Sequence, residues 1–227
     1  MKNLLSKRNL NKYSRQIVLK DVGIIGQKKI FNSKILVVGA GGLGSPVIDL
    51  LVRAGVGFLG VIEDDKVDYS NLHRQTLYDY NDVGKYKSDV IKKKIKLINH
   101  KIKLKIFKER AKDKNLSKIL PKFDIIVDGT DNFPTKFLLN KYSLKYRKKL
   151  VIGAISKFDG HIFSFDFSQK KIPCLNCFYQ GMPSDEILNC EAEGILGPTA
   201  NVIGALQANE VLKLSLIHIS EPTRRVF

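Results

Sequence analysis

Lys34-Ile-Leu-Val-Val-Gly-Ala-Gly-Gly-Leu-Gly-Ser45, or KILVVGAGGLGS, is a short apolar run that breaks into glycine and then resumes with a different rhythm. Residues 35–38 have the continuous apolar character of a strand buried on both faces. After Ser45-Pro46 the apolar residues Val47, Leu50, Leu51 and Ala54 recur at helical spacing, and Gly55 supplies a stop. The reading is strand, tight turn, helix. Gly39, Gly41 and Gly44 satisfy G-x-G-x-x-G in that setting, with Gly42 beside them, so the backbone can approach a phosphate or ribose near the positive end of the helix. Residues 58–63 form a second apolar run that ends on Glu63, nineteen positions beyond Gly44. A carboxylate there is placed to accept hydrogen bonds from ribose hydroxyls.

Working outward, residues 90–99 put Ile91, Ile95 and Ile98 on one helical face. Ile102, Leu104 and Ile106 alternate with lysines as a strand, and FDIIVD at 123–128 reads as another buried strand. A helix is expected over 134–146, strands over 149–154 and 160–167, and a last helix over about 199–214. Residues 170–198, punctuated by glycine, proline and cysteine, read as a loop crossing the surface. The pattern predicts an α/β fold: a doubly wound Rossmann-like sheet, parallel in its first half, with added strands and a cysteine-bearing crossover loop. No repeat or linker divides the chain, so residues 1–214 read as one domain, with 1–30 as a helical arm. Residues 215–227 neither extend the helix past Pro222 nor supply a closing strand; they read as an atypical, non-native tail.

The chain has 227 residues, 44% of them hydrophobic, enough for a sizeable core. It shows no run of eighteen apolar residues and no signal-type opening, so the reading is a soluble cytoplasmic protein that avoids the membrane. The net charge of +17 raises the question of nucleic acid. Its lysines read as spread over nearly every segment, without interleaved aromatics, and this argues for solvated helix faces over a nucleic-acid platform.

A polar cluster follows Glu63: Asp65, then Ser70-Asn71-Leu72-His73-Arg74, then Lys87. It falls beyond the carboxyl end of a strand, where doubly wound folds hold their ligands. Arg74 offers a planar fork to phosphate oxygens and Lys87 a compact ammonium. The strand at 123–127 runs into Asp128-Gly-Thr-Asp131-Asn132, and a carboxylate there suits Mg²⁺ bridging phosphates. A nicotinamide-dependent oxidoreductase could share the glycine turn, but would leave Arg74, Lys87 and Asp131 without a common purpose.

The ordered set GAGGLG, SNLHRQ, VGKYK, DGTDN and CLNC, with YSRQI at 13–17, resembles the ThiF/MoeB/HesA family, relatives of the ubiquitin-activating enzymes, over residues 13–214. The resemblance implies adenylation of the carboxyl-terminal glycine of a ubiquitin-like sulfur-carrier protein by ATP and Mg²⁺, on a homodimer. It implies that Gly42 and Glu63 hold the ribose side, Ser70, Asn71 and Arg74 the phosphates, and Lys87 the α-phosphate region. Asp131 would hold the magnesium, with Asn132 beside it. Arg15 would reach the γ-phosphate of the neighbouring subunit; the alternative is an exposed arginine on the arm. A cysteine desulfurase or rhodanese-like protein would supply sulfur afterwards. Within the same family, the activated carboxylate could instead sit on a transfer RNA; a third reading is a scaffold that binds a ubiquitin-like protein.

Three cysteines occur. Cys174 and Cys177 have the spacing of half a tetrahedral zinc site, and the second pair that completes it in the family is absent from this sequence. Both readings stay open: a partial Zn²⁺ site or two unligated thiols. Cys190 falls where some relatives carry a cysteine that bonds covalently to the carrier, and its alternative is buried filler.

Overall fold

The structure, a computed structural model, describes residues 6–181 and 194–216. Six strands form one sheet: β1 (Lys34–Val38), β2 (Phe58–Ile62), β3 (Lys103–Phe107), β4 (Ile125–Asp128), β5 (Lys149–Ser156) and β6 (Asp159–Asp166), in the order β3-β2-β1-β4-β5-β6. β1 to β5 run parallel, and β6 turns back antiparallel on β5, with Ser156 opposite Asp159. Strand order reverses between β1 and β4, which opens a crevice at their carboxyl ends.

Alternation along the strands divides the core in two. Ile35 and Val37, Leu59 and Val61, and Ile125 and Val127 face one side, against helices α4 (Gly44–Ala54) and α5 (Lys87–Ile98) and the last helix, α9 (Gly197–Leu216). Leu36, Val38, Ile126, Leu150 and Ile152 face the other, against α6 (Asp113–Ile119), α7 (Phe133–Lys145) and the short α8 (Leu175–Tyr179). Each such side chain, once buried, contributes roughly 1.5–3 kcal/mol. β2 contains Gly60 because the Phe123 ring lies on it: a Cβ there would come within 2.3 Å of the ring. Gly60→Ala is therefore expected to cost about 1–3 kcal/mol, read as a lower urea midpoint at unchanged m-value.

The amino-terminal arm consists of α1 (Lys7–Lys12), α2 (Ser14–Ile17) and α3 (Gly23–Asn32). Tyr13 is buried against Gly55, and Gln16 donates from Nε2 to Gln27 Oε1 (2.9 Å) and to the Ala54 carbonyl (3.2 Å). Tyr13 and Gln16 thus fasten the arm to the end of α4, while Arg15 between them is exposed.

Some boundaries differ from the sequence reading. α5 begins at Lys87, three residues before the apolar periodicity, because the Lys87 N–H bonds the Asp65 carbonyl (2.9 Å) and Tyr86 bridges to Lys66. α6 has too few apolar residues among its lysines to show a helical period. α9 begins two residues earlier and ends two later than the expected 199–214, so Ser215 and Leu216 continue the helix, and Lys29 Nζ donates to the Leu216 carbonyl at 2.9 Å. The rest of the expected atypical tail, 217–227, lies outside the described residues. The surface segment 170–198 contains α8, and its Cys190 likewise lies outside them.

Candidate functional site

A crevice of about 980 Å³ opens at the carboxyl ends of the parallel strands, in the size range of small-molecule sites. Its floor is the β1–α4 turn. Gly39 has φ +83°, in the left-handed region that glycine tolerates. Gly41 faces open space: a Cβ there would find its nearest neighbour 3.7 Å away. Gly44 does not line the crevice. It begins α4 directly behind the turn, where a Cβ would meet the Gly39 carbonyl oxygen at 2.0 Å, so the third glycine serves close packing of helix on strand. Accordingly, Gly44→Ala should cost about 3 kcal/mol, the upper end of ordinary overpacking, and Gly41→Ala no more than about 0.5 kcal/mol. Chemical denaturation of the two variants checks the contrast. Beneath the turn Tyr78 donates to the Ala40 carbonyl (2.9 Å); burial, reinforced by the Glu63 charge, pushes its hydroxyl well above the usual range and keeps it a neutral donor.

Glu63 closes one wall. Only 6% exposed, its carboxylate accepts the Ala40 N–H (2.8 Å) and the Asp65 N–H (2.9 Å), which fixes the side chain at the crevice edge and leaves lone pairs free. Beyond it, Asp68 caps a single 3₁₀ turn (Tyr69–Asn71) by accepting the Ser70 hydroxyl (2.6 Å) and N–H (2.8 Å); these bonds, the hydroxyl's foremost, hold its carboxyl below the usual range. Ser70 and Asn71 line the crevice and also build this turn. Leu72 does not line it, and packs partly buried against the core.

The turn presents Arg74. Its guanidinium donates to the Ser70 carbonyl (2.9 Å) and lies 2.7 Å from His73 Nε2, and the stem passes over Gly42. Lys87, 5% exposed, reaches the same space from the first turn of α5, with its Nζ 3.5 Å from Asp65 Oδ2. Asp131 and Asn132 enter from the loop after β4. Asn132 is the N-cap of α7, accepting the Thr135 N–H at 2.9 Å, whereas Asp131 is exposed and, among the described residues, meets only the Asn132 amide, at 3.5 Å. The structure therefore brings together Gly39, Gly41, Gly42, Glu63, Asp65, Ser70, Asn71, His73, Arg74, Lys87, Asp131 and Asn132 around one crevice. Arg15 lies outside it.

Other residues complete the site. Asp128, fully buried, accepts from Thr130 N (3.0 Å) and Oγ1 (2.6 Å) and pairs with Lys136 Nζ at 2.9 Å. Lys136 also donates to the Thr130 (2.7 Å) and Gly153 (2.6 Å) carbonyls, so all three ammonium hydrogens are used. This network holds the loop carrying Asp131. Gln207 of α9 ties it down by donating to the Asp128 carbonyl (2.8 Å). Arg110, just past β3, reaches Asp64 (3.3 Å) and Asp65 (3.8 Å).

Cys174 and Cys177 lie apart from the crevice, at the start of α8, with their sulfurs 3.7 Å apart. Two thiolates each about 2.3 Å from a tetrahedral zinc would be separated by nearly that distance. Burial pushes the Cys174 thiol up, but hydrogen bonds from Cys177 and Asn140 outweigh it and hold the thiol below its ordinary value. Among the described residues no further cysteine or histidine completes a four-ligand site. None of the described helices is long and apolar enough to cross a membrane.

The family model described as "ThiF family" matches residues 13–227. The chain is 39% identical to a Thermus thermophilus protein named sulfur carrier protein adenylyltransferase, over 96% of this chain and 81% of that one. It is 38% identical to a probable molybdopterin-synthase adenylyltransferase of Gracilaria tenuistipitata var. liui, over 93% of this chain and 59% of the other. Against an adenylyltransferase and sulfurtransferase of Culex quinquefasciatus the identity is 39%, over 95% of this chain and half of that protein. Among solved structures, E. coli MccB with ATP superposes with a TM-score of 0.78 at 26% identity, covering 91% of this chain and 64% of that one.

Proposed function

The chain belongs to the ThiF family, and on that premise we propose that it adenylates a carboxylate: the carboxyl-terminal glycine of a ubiquitin-like sulfur-carrier protein. ATP is consumed, pyrophosphate is released, and the product feeds sulfur transfer in thiamine or molybdopterin biosynthesis. The observation that carries this reading is the meeting of Arg74, Lys87 and Asp131 in one crevice floored by the glycine turn and walled by Glu63. Hydride transfer to a nicotinamide would give those three side chains nothing in common to do.

The reaction needs no side-chain nucleophile. A terminal carboxyl group has a pKa of about 3.5, so it is ionised near neutrality, and one of its oxygens attacks the α-phosphorus. A new oxygen–phosphorus bond forms as the bond to the bridging oxygen breaks, and the electron pair leaves with pyrophosphate. Two anions must approach each other, so catalysis consists of positioning and of cations fixed where charge builds up. In this reading Arg74 clamps phosphate oxygens with its fork, assisted by Ser70 and Asn71, and Lys87 faces the α-phosphate. Glu63 and Gly42 hold the ribose. Asp131, an exposed carboxylate at the crevice, offers a hard oxygen ligand for Mg²⁺, which would neutralise phosphate charge.

Three further proposals extend the reading. With Tyr13 and Gln16 anchored and Arg15 directed outward, Arg15 is available to the γ-phosphate of a second copy in a homodimer. A cysteine desulfurase or rhodanese-like protein is the proposed sulfur donor, and Cys174 with Cys177 is proposed as half of a zinc site. Isotopic exchange of pyrophosphate into ATP tests the assignment: exchange that requires the sulfur carrier supports it, exchange that requires transfer RNA moves the carboxylate to RNA, and no exchange with either refutes an adenylation role.

A further inference from the structure

The positive charge is not evenly spread, contrary to the sequence reading. Residues 85–122 contain fifteen lysines and arginines against only Asp89, Glu109 and Asp113, so one sixth of the chain holds twelve of its seventeen excess charges. In the fold α5 lies on one face of the sheet, β3 runs along its edge and α6 lies on the opposite face; residues 85–110, α5 and β3 with their flanks, hold eleven of these cations against Asp89 and Glu109. Lys85, Lys87, Lys94 and Arg110 have carboxylate partners. Lys92, Lys93 and Lys96 on α5, Lys101 in the turn before β3, and Lys103 and Lys105 on β3 are exposed and make no ion pair among the described residues.

Two ordinary explanations cover part of this. Lysines on an edge strand deter pairing with another sheet, and a surface helix needs a polar face. Neither explains why acids are missing. Soluble surfaces normally mix both signs, and like charges four apart, as at Lys92 and Lys96, cost a helix a few tenths of a kcal/mol. The field continues to the carboxyl end of α5, where a second cavity of about 410 Å³ is lined by Arg8, Lys12, His100 and Lys101 among asparagines and apolar residues. Burial, with Arg53 and Arg8 nearby, lowers the proton affinity of Lys12.

We infer that this edge binds the phosphodiester backbone of a nucleic acid. The side chains distinguish that partner from an acidic protein. Protein interfaces are depleted in lysine and enriched in aromatic residues and arginine, whereas this edge is almost entirely lysine. Its exposed large apolar residues are Leu97 and Tyr86, the latter with Lys108 over its ring. Flexible point charges suit phosphates, which carry no sequence information. The inference stands independently of the adenylation proposed above, because its residues are not the ones assigned to that reaction.

The test is fluorescence anisotropy of the whole chain with labelled RNA and DNA duplexes of one sequence, each about 20 base pairs. Binding should weaken by roughly a hundredfold between about 50 and 200 mM salt, as release of counterions from about four phosphates requires. A variant with Lys92→Glu, Lys96→Glu, Lys103→Glu and Lys105→Glu should lose at least about tenfold in affinity at the lower salt. The same four positions changed to glutamine should lose less, in the same direction. A control with Lys20→Glu, Lys28→Glu, Lys170→Glu and Lys171→Glu, which changes the net charge equally, should stay within about threefold. Tighter binding of RNA or of DNA identifies the source, and equal binding of both also supports the inference. It is overturned if neither duplex binds with this salt dependence, if the control loses as much as the edge variants, or if poly-glutamate binds more tightly than either duplex.

Discussion

Asp128→Ala will destabilise the protein by about 3–5 kcal/mol, because it strands the Lys136 ammonium in a site where that lysine is 2% exposed. For a chain of this size the melting temperature should fall by on the order of 10 °C. The loss has two parts: a buried cation without its counter-charge, and the release of Thr130, whose N–H and hydroxyl both bond the carboxylate. Lys136→Met addresses the first part alone. Combined with Asp128→Ala it should restore a good share of the lost stability, since an apolar pair of similar volume is often nearly neutral where a single buried charge is not. Thermal melts of the two single variants and the double variant form a cycle, and the expected coupling exceeds about 1 kcal/mol. Additive losses would mean that the two side chains do not act as a pair.

Arg74→Ala should lower carrier-dependent pyrophosphate exchange by about 10²–10³-fold, equivalent to removing one donor aimed at developing charge, and leave the melting temperature almost unchanged. Stability is spared because, among the described residues, the guanidinium bonds only the Ser70 carbonyl and the neighbouring His73 at the crevice surface. Arg74→Lys keeps the charge but loses the planar fork, so it should recover only part of the rate. Asp131→Ala is expected to match Arg74→Ala in activity and in retained folding, since among the described residues its carboxylate has only a long contact with Asn132. Near wild-type exchange in either alanine variant contradicts the role given to that residue.

The fold and much of the crevice could be read from the residues because both depend on local pattern. Glycine spacing, a buried strand and a following helix specify the β1–α4 turn within twenty residues, and residues just past strand ends fall at the carboxyl edge of a parallel sheet wherever the strands pair. Gly44 shows the limit of that logic: the motif marks it, but only the 2.0 Å approach to Gly39 shows that it packs and does not line the site. Lys136 was missed because a lysine in a helix usually means a solvated face. A signal did exist, since Lys136, Asn140 and Ser143 fall at i, i+4 and i+7 on the buried face of α7, and Asn140 accepts the Leu175 N–H at 3.1 Å. Gln207 left no comparable trace. Its partner is a backbone carbonyl far away in sequence, and only the packing of α9 across the sheet brings them together.

The concentration of charge at the β3 edge was legible and misread, because counting lysines over the whole chain hides the scarcity of acids in one segment. Arg110 was similarly within reach: it lies three residues past the end of β3, and Glu63 immediately past the end of β2. Its pairing with Asp64 and Asp65 depends on the parallel register that puts Ile62 opposite Phe107.

The central claim is that this crevice joins a carrier's terminal carboxylate to the α-phosphorus of ATP. Incubating the protein and the sulfur carrier with Mg²⁺ and ATP labelled at the α-phosphate measures that directly. The account predicts that label becomes attached to the carrier's terminal glycine, that it is lost when that glycine is deleted, and that ATP labelled at the γ-phosphate transfers none. An unlabelled carrier, or label arriving from the γ-phosphate, would contradict it.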